Sequence, residues 1–264
     1  MSFAEASAVS GGPGSWTAEI EEGWDIFGVS NGGYLMSMAT RAMEAESGGR
    51  QLISATGHYL NPADAGPLAV NVDILKEGRS LSMLRASLSR GDESLVVVTG
   101  VLADPARPPS EDDLIIGGPP QLPPPAECVM AEPSTTAALP PPFTGKVEVR
   151  IHPVDATVLV GQRSGNPVMR GWFRLRDDEA LDAHAVVLAT DAFPPAIFNS
   201  NLPVGWTPTL DLTVQVRNPS PSGWLAGRFS TKFVTDGLLE EDGELWDEEG
   251  RLVALSRQLA LVPR

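Results

Sequence analysis

Asn61-Pro62 with Gly66 and Leu68, and Asn218-Pro219 with Gly223 and Leu225, spell the same pattern, Asn-Pro-x-x-x-Gly-x-Leu, 157 positions apart (218 − 61). Leu95-Val96 and Leu252-Val253 each follow a Gly/Asp/Glu turn and share that offset (252 − 95 = 157). Two anchors at one offset point to an internal duplication, so the chain has to build one small unit twice. At 264 residues and 42% apolar composition, two units of ordinary domain size fit the length and can each bury a core.

Between the copies the composition changes. Residues 104–143 hold twelve of the 24 prolines, among them Pro123-Pro124-Pro125 and Pro140-Pro141-Pro142. Proline lacks an amide donor and fixes φ, so this stretch is neither helix nor central strand, and it reads as a linker over 104–145. The expected units are 14–103 and 146–264.

Each unit shows a short strand, a helix, then strands divided by Gly, Asp and Asn turns. The first reads as strand at Trp24 to Val29, helix from Gly33 to Ala45, and strands near Leu52 to Tyr59, Leu68 to Leu75, Leu81 to Leu88 and Leu95 to Leu102. The second reads as strand at Val168 to Leu175 and helix from Ala180 to about Phe198, interrupted by Pro194-Pro195. Strands follow near Thr209 to Val216, Leu225 to Val234, Gly243 to Trp246 and Leu252 to Val262. Strands joined by short turns are antiparallel, so the class is α+β.

The formal charge of −15 excludes a nucleic-acid partner, which needs a basic face to displace phosphate counterions. Cys128 is the single cysteine, so neither an internal disulfide nor a Cys-x-x-Cys zinc site can be built. His58, His152 and His184 are scattered, and no metal is expected. No apolar run reaches bilayer-spanning length and the first residues lack a signal-peptide pattern, so a cytoplasmic protein without membrane attachment is expected.

Gly28-Val29-Ser30-Asn31-Gly32 matches Gly-x-Ser-x-Gly between a strand and a helix, the setting of a serine-hydrolase elbow. Only 29 residues precede Ser30, too few for the parallel sheet such an elbow needs, and no histidine follows His184 to serve as a late triad member. The simpler reading is that Ser30 or Asn31 caps the helix, while Gly32 and Gly33 permit close approach of backbone or ligand.

Several segments together carry a family resemblance: Asn31-Gly32-Gly33-Tyr34-Leu35 opening a helix, the Glu77-Gly78-Arg79-Ser80 turn, Thr207-Pro208-Thr209-Leu210-Asp211, and Gly250-Arg251-Leu252-Val253-Ala254 leading to Gln258. In order and spacing the chain resembles the acyl-CoA thioesterase II family, in which two hotdog domains are fused. The resemblance implies tandem hotdogs, each a central helix wrapped by a curved antiparallel sheet, acting on acyl-CoA without a cofactor. It also implies that Asp191, Thr209 and Gln258 hold the hydrolytic water. Association through sheet edges or faces is compatible with such a fold, with the stoichiometry open.

The residues themselves allow blander roles. Asp191 shares a helical face with Leu181, Ala185 and Leu188 and could be a structural cap. Strand parity puts Thr209 on the polar face with Asp211, Thr213 and Gln215, so only a bend at the strand start turns it inward. Gln258 alternates with small residues and could be a satisfied core amide. Subtracting 157 from the three lands on Tyr34, Leu52 and Val101, so the polar trio is confined to one copy.

An Asp carboxylate can act as general base toward a water held by the Thr and Gln side chains, with no acyl-enzyme. The Gly32 and Gly33 amides are candidate oxyanion donors, and Arg79 is a candidate for the CoA phosphates. The alternatives are a non-catalytic acyl-CoA binding protein, a hotdog enoyl-CoA hydratase, and a serine hydrolase using Ser30.

Overall fold

The computed structural model describes residues 1–104, 114–133, 140–203 and 205–262. Residues 105–113 and 134–139 of the proline-rich stretch, and the last two of the expected second unit, lie outside the described residues.

The first half contains α1 (Phe3–Ala6), β1 (Val9–Gly12), β2 (Ser15–Ile20), β3 (Asp25–Ile26), β4 (Val29–Ser30), α2 (Gly32–Glu46), β5 (Gln51–Tyr59), β6 (Gly66–Glu77), β7 (Leu81–Arg90) and β8 (Glu93–Ala103). Then follow β9 (Val129–Met130), β10 (Val147–Ile151), β11 (Val168–Leu175), α3 (Ala183–Ala189), β12 (Thr209–Val216), β13 (Leu225–Ser230), β14 (Val234–Thr235), β15 (Leu238–Trp246) and β16 (Leu252–Leu261).

All strands but β3 and β4 join one antiparallel sheet, running β1-β2-β6-β7-β8-β5-β12-β16-β15-β13-β11-β10-β9, with β14 on β15. The two halves meet at β5 and β12. There Asp211 pairs with His58, Thr213 with Thr56 and Gln215 with Ser54, a register symmetric about the Thr pair. Thr56 Oγ1 and Thr213 Oγ1 lie 2.9 Å apart and stand 157 apart in sequence. A residue that meets its own duplicate marks a local twofold axis, as in an isologous dimer interface. The repeat found in the sequence is therefore a structural repeat, and β7 and β15 begin 157 apart as well (238 − 81).

Helix α2 is rich in helix formers from Leu35 onward, and the side-chain oxygen of Asn31 caps its start by accepting from the Tyr34 amide at 2.9 Å. Nearly every residue from Gly33 to Met43 is buried, as expected of a helix enclosed on all sides. It packs on β5 to β8 and on α3. Its start is covered by Trp24, stacked on Tyr34 with ring centroids 4.6 Å apart.

Four sequence expectations change. Trp24 to Val29 is not one strand: β3 and β4 form a small hairpin whose turn places Phe27 and Gly28 at positive φ. The second helix spans 7 residues, not the stretch to Phe198. It starts at the Asp182 cap and ends at Ala189 with Thr190 as its C-cap, and the Pro194-Pro195 pair further on cannot resume it. The 157 offset does not pass through the helices: cap to cap, Asn31 and Asp182 differ by 151 (182 − 31), so the counterpart of Asp191 is Thr40 (191 − 151), not Tyr34. Finally, α1 and β1 precede residue 14, with β1 paired to β2, and β9 adds an edge strand to β10 within the proline-rich stretch.

Candidate active site

Asp191 follows the α3 C-cap, Thr190, and its carboxylate reaches back to the start of α2. Its Oδ2 accepts from the Gly33 amide at 2.8 Å and from Asn31 Nδ2 at 3.0 Å. Asn31 Nδ2 also donates to the Asp191 carbonyl at 2.9 Å, so one asparagine caps α2 with its oxygen and clamps Asp191 with its nitrogen. Asn31, not Ser30, is thus the cap.

The glycines are required by this closeness. A Cβ on Gly33 would sit 2.9 Å from Asp191 Cβ and 3.2 Å from Leu188 Cα, and one on Gly32 would sit 2.9 Å from the Tyr59 ring.

Asp191 lies on the wall of a cavity of about 390 Å³. Burial pushes its carboxyl up to about 6, against the opposing pull of the Gly33 amide, the Asn31 side chain and the Gly32 amide. Both hydrogen bonds, from Gly33 and from Asn31, fall on Oδ2, and the Gly32 amide acts on the same carboxyl.

Thr209 and Gln258 line the same cavity, and Gln258 Nε2 donates to Thr209 Oγ1. Strand parity alone puts Thr209 on the outer face. The register shows the bend: Thr209 pairs with Ala260 while Asp211 pairs with Leu259, so an extra residue on β12 forms a bulge and returns Thr209 to the face of Gln258. The structure therefore gathers Asp191, Thr209, Gln258 and Gly32 around one space. At the related positions of the first copy stand Thr40, Leu52 and Val101.

Two expected site residues are placed differently. Gly33 is not on the cavity wall, and its amide is taken by Asp191, which leaves it no role as an oxyanion donor. Arg79 sits at the exposed β6–β7 turn, where its carbonyl accepts from Arg50 at 3.1 Å, and it does not line the cavity. The turn is hydrogen-bonded within its own hairpin and to Arg50 in the chain after α2.

Among the polar wall residues that sequence reasoning did not single out are Tyr59 and Glu241. Tyr59 lies over Gly32, and its hydroxyl contacts Met36 Sδ at 3.9 Å. Burial, then the charges of Asp191 and Asp211, hold that hydroxyl protonated well above its usual range. Glu241 is the second, and its only sequence signal was an acidic residue at an inward position of an alternating strand.

Ser30 is buried on the cavity wall, but β4 is a two-residue strand of a hairpin and no histidine lines the cavity. His184 is engaged elsewhere, with Nδ1 2.9 Å from Thr40 Oγ1 and Nε2 2.8 Å from Glu44 Oε2.

A helix enclosed by half of a twofold-repeated antiparallel sheet, with a polar cluster where the helices meet, defines a double-hotdog protein. The chain belongs to the acyl-CoA thioesterase family: residues 20–103 match its N-terminal domain and residues 120–262 its C-terminal domain. A crystal structure of a candidate thioesterase II from Thermobifida fusca is 31% identical with a TM-score of 0.88, the match covering 100% of this chain and 98% of that one. A hot dog fold protein of unknown function from Alicyclobacillus acidocaldarius is 20% identical with a TM-score of 0.83, over 99% of this chain and 98% of its own. An uncharacterized protein of Mycobacterium tuberculosis is 26% identical over 93% of this chain and 90% of its own length.

Proposed function

We propose that the protein hydrolyses acyl-CoA thioesters to the free acid and CoA by direct attack of water. The observation that supports this best is Asp191, a carboxylate raised to about 6 with one oxygen fixed by two donors, on the wall of a cavity shared with Thr209 and Gln258. A base with such a pKa is mostly ionised at physiological pH and can take a proton from water.

In this reading Thr209 and Gln258 accept and donate to the water, and the Asp191 carboxylate removes its proton as oxygen attacks the thioester carbon. The tetrahedral intermediate collapses by breaking the C–S bond, and the proton passes from Asp191 to the CoA thiolate. The developing oxyanion needs a donor: the Tyr59 hydroxyl on the cavity wall is one candidate, and the Gly32 amide, which also acts on Asp191, would have to turn from the carboxyl to the oxyanion. No covalent acyl-enzyme forms. Among the described residues no helix is long and apolar enough to cross a membrane, consistent with action on cytoplasmic acyl-CoA.

The hydratase alternative needs a histidine beside the aspartate, and His184 is bound to Thr40 and Glu44 instead. Release of free thiol from a panel of acyl-CoA substrates tests the proposal. Turnover by the wild type and its loss in Asp191→Asn with binding retained are expected. Tight binding with no thiol released by the wild type would leave an acyl-CoA binding protein in its place.

A further inference from the structure

Glu241 is the second acid on the cavity wall, and the hydrolytic chemistry does not use it. It is 8% exposed and stands opposite Gln258 in the β15–β16 register, so both side chains leave the sheet on the cavity side. Its Oε2 accepts from the Ala196 amide, and its other oxygen meets no donor among the described residues. The same cavity wall carries the apolar side chains of Phe193, Pro195, Phe198 and Phe229. Burial, with the nearby charge of Asp191, pushes its carboxyl up to about 8. A carboxyl kept in such surroundings with one oxygen unmatched costs stability, where an aliphatic residue would pack at no such cost.

We propose that Glu241 is a specificity-determining residue that selects acyl groups carrying a hydroxyl or oxo oxygen close to the thioester. Adjacent strands are about 4.8 Å apart. Glu241 therefore stands one strand from the group proposed to hold the attacking water, and its partner on the substrate lies near the carbonyl rather than at the far end of the chain. A neutral carboxyl donates to either oxygen, and either protonation state accepts from a hydroxyl. A site built to hydrogen-bond a substrate group discriminates strongly against the analogue that lacks it, whereas an apolar pocket discriminates weakly against an added hydroxyl.

This inference rests on the thioesterase reading for its substrate class. The test compares 3-hydroxybutanoyl-CoA with butanoyl-CoA and 3-hydroxyoctanoyl-CoA with octanoyl-CoA, in the wild type, Glu241→Gln and Glu241→Met. The readouts are thiol release and, in the Asp191→Asn background, equilibrium binding. The expected result is a wild-type preference of about tenfold or more for the hydroxylated member. Glu241→Gln keeps an acceptor for Ala196 and retains most of that preference, and Glu241→Met brings the ratio to about one while the plain acyl-CoA is still processed.

A Glu241 that only caps the turn at Ala196 would lower both members of a pair alike and leave their ratio unmoved. A ratio near one in the wild type, or one unchanged by Glu241→Met, overturns the inference and leaves the thioesterase reading intact. Absence of thiol release from every substrate overturns the thioesterase reading. In that case the binding ratio alone decides, supporting the inference if Glu241→Met abolishes a hydroxyl preference and overturning it otherwise.

Discussion

The Gly33 amide donates a 2.8 Å hydrogen bond to the Asp191 carboxylate across 158 residues of chain. That bond fixes the start of one helix against the end of the other, and it needs a residue without a side chain. Gly33→Ala places a methyl 2.9 Å from Asp191 Cβ against backbone that cannot yield. Alanine would otherwise favour the helix by about 1 kcal/mol. The overpacking should outweigh this and leave the variant about 1 to 3 kcal/mol less stable by denaturant unfolding. Thiol release should fall with it, because Asp191 moves with α3.

Asp191→Asn is expected to lower kcat by about 10² to 10⁴ with acyl-CoA binding retained, the usual range for loss of a general base. The pH profile of the wild type gives the sign. Burial raises this carboxyl to about 6 and the base acts as the carboxylate, so kcat/KM should rise with pH through about 6 with unit slope and then level. An acid limb near the ordinary carboxylate value would mean a different group.

The same substitution should stabilise the protein above that pH. Asn can place its Oδ1 where Asp191 Oδ2 accepts from both Gly33 and Asn31, so neither bond is lost. Between the ordinary carboxyl value of 3.8 and about 6 the folded wild type holds a proton that the unfolded chain has released, so its stability declines as pH rises across that window. The variant escapes the decline. Two units correspond to about 3 kcal/mol as an upper limit, so thermal unfolding of Asp191→Asn should lie above wild type at pH 8 and converge with it near pH 4. Equal unfolding curves at both pH values would show that Asp191 is not destabilised by burial.

The strands were legible because their period, turns and repeat agree: β5 to β8, β11 and β12 fall where the alternation puts them. The duplication was legible from Asn-Pro and Leu-Val anchors, since turns and strand starts are tied to register. The helices were not. In the second copy Asp182 starts a helix that ends at Ala189, ahead of the Pro194-Pro195 loop, and no local signal gives the 151 offset that pairs Asp191 with Thr40. The inward turn of Thr209 rests on a bulge that only pairing with Ala260 and Leu259 reveals. Asn31 was readable as a cap, but its grip on Asp191 is a tertiary contact.

Thr209 and Gln258 form one hydrogen-bonded unit, which predicts how their variants combine. Thr209→Val and Gln258→Leu should each lower kcat by about 10²-fold, the scale of losing one positioning group. Removing either leaves the water without its paired holder, so the double variant should be little worse than either single one. Multiplicative losses would show that the two residues act independently.

Ser30→Ala separates direct water attack from an acyl-enzyme route. Ser30 lies on the cavity wall within Gly-x-Ser-x-Gly, so its position alone does not dismiss it. Activation of a serine hydroxyl requires a base within hydrogen-bond reach, and no histidine lines this cavity, while the nearby acid, Asp191, directs Oδ2 to Asn31 and Gly33. The Ser30 backbone is held by a 2.7 Å bond from its amide to the Ala63 carbonyl, which the substitution keeps. Thiol release by Ser30→Ala should therefore stay within about twofold of wild type, the residue contributing nothing to the transition state. Rapid-quench analysis should find no burst of CoA ahead of steady turnover. A dead Ser30→Ala variant, or a stoichiometric burst, would move the nucleophile from water to Ser30.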